Sequence, residues 1–232
     1  MIALVDYGAG NLTSVKKALT SLGAEFMVPD APHQCADAAG LIVPGVGHFA
    51  ATAALDASWR EAIAGAVGAG TPLLGICVGM QWLYEGSEEA PEVPGLGLVP
   101  GRCRRLRGDA ARRLKIPHVG WNALEVVRGA NPSGSPGEPP PHRAGVRGGD
   151  PGERLAPRES RLLRGIPSGA HVYFTHSYAA PVTADCVAST THAEPFAAAV
   201  ERDLVFGVQF HPEKSGDTGL RILRNFLGMC QC

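Results

Sequence analysis

The chain has 232 residues, 45% of them hydrophobic and 19% charged. A chain of that length suits one mid-sized domain burying roughly 70% of its unfolded surface, and that composition excludes a wholly disordered protein. Its 21 Lys+Arg against 22 Asp+Glu leave a formal net charge of −1, which argues against phosphate neutralisation, so no nucleic-acid partner is expected.

The predicted elements alternate from the start. Ile2–Val5 is a short apolar run ending at Asp6. Leu12, Val15, Leu19 and Leu22 then recur at helical spacing, with Gly23 where a C-terminal glycine belongs. Phe26–Val28 and Leu41–Val43 read as strands, the second stopped by Pro44-Gly45, and the Ala-rich stretch from Phe49 to Val67 reads as one helix. Leu73–Ile76 is a buried strand pattern and Met80–Tyr84 a helical one. The second half is richer in strand, with Val119–Val127, His171–Phe174, Cys186–Thr190 and a hairpin-like pair, Ala197–Glu201 with Leu204–Gln209. A last helix carries Leu220, Leu223, Phe226 and Leu227 on one face. This alternation predicts an α/β fold with an open, mostly parallel or mixed sheet and helices on both faces. One domain is expected over 1–232, interrupted at about 129–160. In that stretch 14 of 32 residues are Gly or Pro and only Val146 and Leu155 are large and apolar, so it reads as a flexible insertion with too little apolar surface to offset its ordering entropy.

No apolar run approaches the ~20 residues of a membrane span, so no membrane partner is expected. The opening MIALVDYGAGN has no basic region and meets an acid at Asp6, so a signal peptide is not expected and the reading is cytoplasmic. The six cysteines show no CxxC pair or ligand-like spacing, which fits a reducing compartment and implies no metal site.

Chemistry concentrates at two places. Gly75-Ile76-Cys77-Val78-Gly79 lies between a strand and a helical pattern. There, small residues two before and two after a nucleophile let the chain turn sharply and present the side chain at a sheet edge. By itself the pattern also fits a buried cysteine in a tight turn. His211 follows an apolar strand within Phe210-His211-Pro212-Glu213; Pro212 keeps His211 extended, and the turn lets Glu213 fold back to the imidazole. By itself this also fits a strand-ending turn. Taken together, Cys77, His211 and Glu213 make a nucleophile, a base and an orienting carboxylate.

GICVGMQ around Cys77 and GVQFHPEKS around His211 resemble the class I (triad) glutamine amidotransferases. DYGAGNLTSV at Asp6–Val15, PGVGHF at Pro44–Phe49, HVGWN at His118–Asn122 and THSY at Thr175–Tyr178 resemble one branch, the glutaminase subunits of imidazole glycerol phosphate synthases. A glutaminase serving another synthase, of the pyridoxal phosphate, anthranilate or guanylate pathway, is the alternative.

The resemblance implies glutamine hydrolysis through a Cys77 thioester, with an oxyanion held by the amide of Val78 and by Gly47 in the Gly45-Val46-Gly47 loop. It implies that Gln81 and Glu89 line the glutamine site, Glu89 facing the ammonium, with His176, Ser177 and Tyr178 at the carboxylate end. Glu88 is the neighbouring candidate, two adjacent glutamates also fit a solvated face, and His176 also fits a structural histidine. Asn11, Trp121 and Lys214 fall in motifs that face the partner, a (β/α)8 cyclase subunit forming a heterodimer; for Trp121, core packing is the other reading. No cofactor is implied.

Overall fold

The structure, a computed structural model, describes residues 1–111, 113–127 and 159–230. The insertion expected at 129–160 lies outside the described residues except for its last two. Of these, Ser160 belongs to the packed fold: it is buried, and its hydroxyl donates to Glu201 at 2.8 Å.

The chain begins with the fully buried strand β1 (Ile2–Leu4) and helix α1 (Leu12–Ser21). The helix ends where Gly23 predicts. Ala24 N–H bonds to Leu19 O and Gly23 N–H to Thr20 O, each at 3.0 Å, a closure that needs the left-handed φ of +70° at Gly23. Strand β2 (Phe26–Met27) leads to β3 (Gly40–Gly45). Contrary to expectation, β3 runs through Pro44 and Gly45. The N–H of Leu41 faces the segment before the next strand, bonding to Pro72 O, while Ile42 O faces β1 and accepts from Val5 N–H. By alternation, the N–H that Pro44 lacks would face the β1 side, and β1 has already ended at the Leu4↔Ile42 pair. The missing donor therefore costs the sheet nothing.

The Ala-rich stretch is two elements, not one. A 3₁₀ turn, Phe49–Ala54, stops before Asp56, whose carboxylate accepts from Ser58 N–H (2.9 Å) and Trp59 N–H (3.2 Å) and starts α2 (Ala57–Gly68) afresh. An N-cap competes with helix continuation through it. Then come β4 (Leu73–Cys77), α3 (Val78–Leu83), and the short strands β5 (Gly86–Ser87), β6 (Ala90–Pro94) and β7 (Arg102–Arg105). The strand expected at Val119–Val127 is β8 (His118–Ala123) and β9 (Glu125–Val126), separated at buried Leu124. The remaining elements are β10 (His171–His176), β11 (Tyr178–Ala179), β12 (Cys186–His192), β13 (Glu194–Arg202), β14 (Val205–Val208) and α4 (Gly216–Met229).

Eight strands form the main sheet in the order β2-β1-β3-β4-β14-β13-β12-β9. It is parallel from β2 to β14 and antiparallel beyond. Two smaller sheets, β10-β8 and β11-β7-β5-β6, complete the fold. Every residue of β3 and β4 is buried, as central parallel strands require.

Helices cover both faces, and β14 shows it. A Cβ built on Gly207 would lie 2.7 Å from Met80 of α3, whereas the adjacent Phe206 meets Phe226 of α4 with ring centroids 6.1 Å apart. Successive strand residues point to opposite faces, so α3 and α4 flank the sheet.

Candidate active site

Three neighbouring parallel strands, β3, β4 and β14, end side by side. Gly45↔Cys77 pairs β3 with β4, and Ile76↔Val208 pairs β4 with β14. The Gly45–Gly47 loop, Cys77 and His211 are therefore brought together at the carboxyl edge of one sheet, the edge where open α/β sheets place their sites.

Cys77 occupies the sharp turn that its flanking glycines predict. Its φ is +54° and its ψ −108°, a conformation that costs a non-glycine residue on the order of 1–3 kcal/mol. The small neighbours are sterically necessary. A Cβ on Gly75 would sit 2.6 Å from Gly79 O, and one on Gly79 would sit 1.8 Å from Val43 O. The Cys77 thiol donates to Thr175 O at 3.9 Å and accepts from Gln209 Nε2 at 3.7 Å.

His211 is buried, and its Nδ1–H donates to Glu213 Oε1 at 2.8 Å. A short 3₁₀ turn, Pro212–Lys214, folds the carboxylate back onto the ring. Ser215 fastens the turn: its hydroxyl donates to His211 O at 2.6 Å and accepts from Tyr173 N–H at 2.9 Å. His211 Nε2 completes no hydrogen bond with protein among the described residues. Burial lowers the basicity of this imidazole, but the Cys77 sulfur and the Glu213 carboxylate outweigh it and raise its pKa to about 10.

Beside Cys77 opens a cavity of about 180 Å³. Gly47, Val78, Gln81, Glu89, His176, Ser177 and Tyr178 all line it, as do Pro117 and Thr175, which the sequence reading did not single out. The adjacent glutamates separate: Glu89 accepts from Phe49 N–H (2.8 Å) at the cavity wall, while Glu88 accepts from Arg105 N–H (3.1 Å). The His176 Nδ1–H donates to Tyr178 O (2.9 Å), and Nε2 meets His118 Nδ1 (3.1 Å). Both ring nitrogens are thus engaged within the protein, which leaves only main-chain groups of His176 to meet a ligand. Burial holds His176 down to a pKa of about 3 and His118 to about 4, so both rings are neutral.

The two ends of the Gly45–Gly47 loop differ in crowding. A Cβ on Gly45 would lie 2.2 Å from the Tyr7 hydroxyl and 2.8 Å from the Val78 Cβ, whereas one on Gly47 (φ +97°) would meet nothing within 4 Å. Gly10 abuts it, 3.7 Å from Pro44 O by the same test, which sets Asn11, the residue before α1, next to this loop. Trp121 is 56% exposed and Val119, two residues earlier on β8, 57%, so Trp121 is not a core residue. Its ring meets Tyr173 edge-on at 6.1 Å, and the Lys214 ammonium lies 5.9 Å from the same Tyr173 ring.

The family model for class-I glutamine amidotransferase matches residues 3–230. The chain belongs to the class-I glutamine amidotransferases. Among its relatives, a protein of Gloeobacter violaceus named imidazole glycerol phosphate synthase subunit HisH is 44% identical over 97% of this chain and 88% of its own. One of the same name from Geobacillus is 40% identical over 100% of this chain and 98% of its own, and one from Xanthomonas euvesicatoria pv. vesicatoria is 42% identical over 98% and 97%. The fold is also that of a solved glutamine amidotransferase, with a TM-score of 0.68 at 19% identity over 100% of this chain and 99% of that one. PurLQS from Thermotoga maritima shares it at TM-score 0.62, 18% identity, and 98% and 97% coverage. For an amidotransferase, a thiol, an imidazole backed by a carboxylate, and a glycine loop at one sheet edge are a chemically sufficient set for attack on an amide.

Sequence reasoning missed Gln209. Its place two residues before His211 in GVQFHPE gave no signal of the contact with Cys77, because β14 ends at Val208 and strand alternation does not carry over Gln209–His211.

Proposed function

We propose that this amidotransferase is the glutaminase subunit of an imidazole glycerol phosphate synthase. It hydrolyses glutamine to glutamate and passes the ammonia to a cyclase subunit that forms imidazole glycerol phosphate and AICAR in histidine biosynthesis. The observation that carries the reading is the convergence of Cys77, the His211–Glu213 pair and the Gly47 loop at the ends of adjacent strands. The HisH relatives, similar over nearly their whole length, support the choice of synthase.

In this reading the proton shared by Cys77 and His211 sits on Nε2 when the sulfur attacks the side-chain carbonyl carbon of glutamine. Its oxygen becomes an oxyanion, held by the amides of Val78 and of the Gly47 loop. His211, fixed through Nδ1 by Glu213, returns the proton to the departing nitrogen, and ammonia leaves a Cys77 thioester. Water, deprotonated by the same imidazole, then releases glutamate and restores the thiol. Glu89 answers the substrate's ammonium; Gln81, Ser177, Tyr178 and the main chain of His176 position the rest. The same reading gives one domain over 1–232 carrying a Gly/Pro-rich insertion, a place in the cytoplasm, and a (β/α)8 cyclase as partner. Trp121, Lys214 and Asn11 form the surface that meets the cyclase, the exposed indole acting as its anchor.

The uncrowded Gly47 end of the loop is the gate. An oxyanion donor acts only during chemistry, so misorienting it should cost on the order of 10²–10³ in kcat. The test is glutamate release by the chain alone, and with cyclase plus its nucleotide ligand. Stimulation is expected in kcat far more than in KM, complete loss in Cys77→Ala, and retained synthesis by that variant complex from ammonium salts. A Cys77→Ala protein that still hydrolyses glutamine would end the nucleophile assignment; stimulation confined to KM would end the gate.

A further inference from the structure

We propose that Gln209 is a positioning residue that holds the Cys77 sulfur and favours its ionised form, an inference that rests on Cys77 being the nucleophile. Gln209 is completely buried, and its Nε2–H reaches the sulfur at 3.7 Å. Which end of the amide faces sulfur is determined by its surroundings. Gln81 Nε2 donates both to Tyr178 O at 2.8 Å and to Gln209 Oε1 at 3.2 Å. Turning Gln81 around would set its oxygen against the Tyr178 carbonyl, and turning Gln209 around would set two NH₂ groups face to face. The Gln209 oxygen therefore accepts, and its NH₂ points to Cys77.

A second arm fixes the same acceptor. Asn122 is oriented by backbone, its Nδ2 donating to Thr191 O at 3.0 Å and its Oδ1 accepting from Ala123 N–H at 2.8 Å. That NH₂ faces His118 Nε2 at 3.4 Å, so His118 Nδ1–H donates to His176 Nε2, and His176 Nδ1–H to Tyr178 O. A chain of this kind requires each ring to give one bond and take one, which only neutral imidazoles do.

The two contacts at sulfur respond oppositely to ionisation. The thiol's bond to Thr175 O is lost with its proton, which moves to His211 Nε2. The Gln209 N–H stays and becomes a charge-assisted bond to thiolate. Gln209 thus selects the thiolate over the thiol.

The test uses Gln209→Leu and Gln209→Glu in the full chain bound to the cyclase subunit, with a melting curve for each. Leu removes the donor at similar volume; Glu keeps the acceptor for Gln81 and sets an anionic oxygen against sulfur. Cys77 alkylation by iodoacetamide is followed against pH with the other cysteines' labelling subtracted in a Cys77→Ala background, alongside kcat and KM for glutamine. The expected result is a kcat lower by on the order of tenfold to a hundredfold, KM changed less than threefold, and an alkylation midpoint moved to higher pH, further for Glu than for Leu. If Leu fails to fold, Glu alone decides. An unmoved alkylation profile in the folded variants overturns the proposal, whatever happens to kcat. Glutamine turnover by Cys77→Ala would instead overturn the nucleophile reading, so the two failures are distinct.

Discussion

Replacing Gly79 by Ala puts one methyl group where the structure has none to spare. Its Cβ would lie 1.8 Å from Val43 O and 2.8 Å from Val43 C, both main-chain atoms of a wholly buried strand. Restoring even the 3.0 Å below which Cβ atoms are essentially never found means separating α3 from β3 by at least about 1.2 Å. Overpacking of a core by a methyl group costs about 1–3 kcal/mol where side chains can yield. Here the obstacle is backbone, so the upper end, about 3 kcal/mol, is expected, lowering Tm by roughly 6–12 °C in a chain of this size. Catalysis should suffer more than stability does. Cys77 is the residue from which α3 starts, and a misplacement of about 1 Å costs about 10²-fold in rate. Gly65→Ala is the control: it lies inside α2, its added Cβ would meet nothing within 4 Å, and helix propensity predicts a gain of about 0.5–1 kcal/mol. Thermal melts and steady-state glutaminase assays on both variants check the reasoning. If Gly79→Ala melts within 2 °C of the parent (about 0.5–1 kcal/mol) and keeps its kcat, the elbow is not held by this close approach and the packing argument is wrong.

The neutral His118 and His176 should make stability fall in acid. Their pKa values of about 4 and about 3 lie below the ordinary 6.5, so between pH 6.5 and 4 the unfolded chain takes up protons that the folded chain refuses. Tm should drop over that window, and less steeply in His118→Leu; parallel profiles for the two proteins would contradict this. His211 has the opposite sign: raised to about 10, it contributes stability that is whole below pH 6.5 and is lost as pH rises through 10. Glu201→Ala should destabilise by about 2–4 kcal/mol, because its carboxylate accepts from the Ser160 hydroxyl (2.8 Å), Arg161 N–H (3.0 Å) and Arg161 Nε–H (2.8 Å). A urea midpoint unchanged in that variant would show that the segment beginning at Ser160 is held by something else.

Much of this was legible in residue order because it is local physics. Gly23 had to end α1, since its left-handed φ admits glycine with little strain. The glycines around Cys77 announced a sharp turn, and Pro212 announced the fold-back that sets Glu213 on His211. Where local rules conflicted with packing, packing prevailed. Pro44 did not stop β3, because its missing donor faces the side that β1 has vacated. The Ala-rich stretch is broken by Asp56, a cap whose pull depends on one side chain and not on periodicity. Val119–Val127 divides between two sheets, β8 pairing with β10 and β9 with β12, and alternation cannot say which sheet a residue joins.

What tertiary structure alone decided is who meets whom. Cys77 and His211 are separated by more than half of the chain, yet strand order places β14 next to β4. Which of Glu88 and Glu89 lines the cavity depended on which carboxylate found Phe49 N–H and which found Arg105 N–H. Gln209 was silent as a lone polar residue in an apolar strand; only the packing of α3 and β11 around it, through Gln81 and the Tyr178 carbonyl, turns its amide toward sulfur. Sequence specifies which groups are present and how the chain bends near them. The direction of a buried hydrogen bond is set by every partner at once, and those partners come from five different elements.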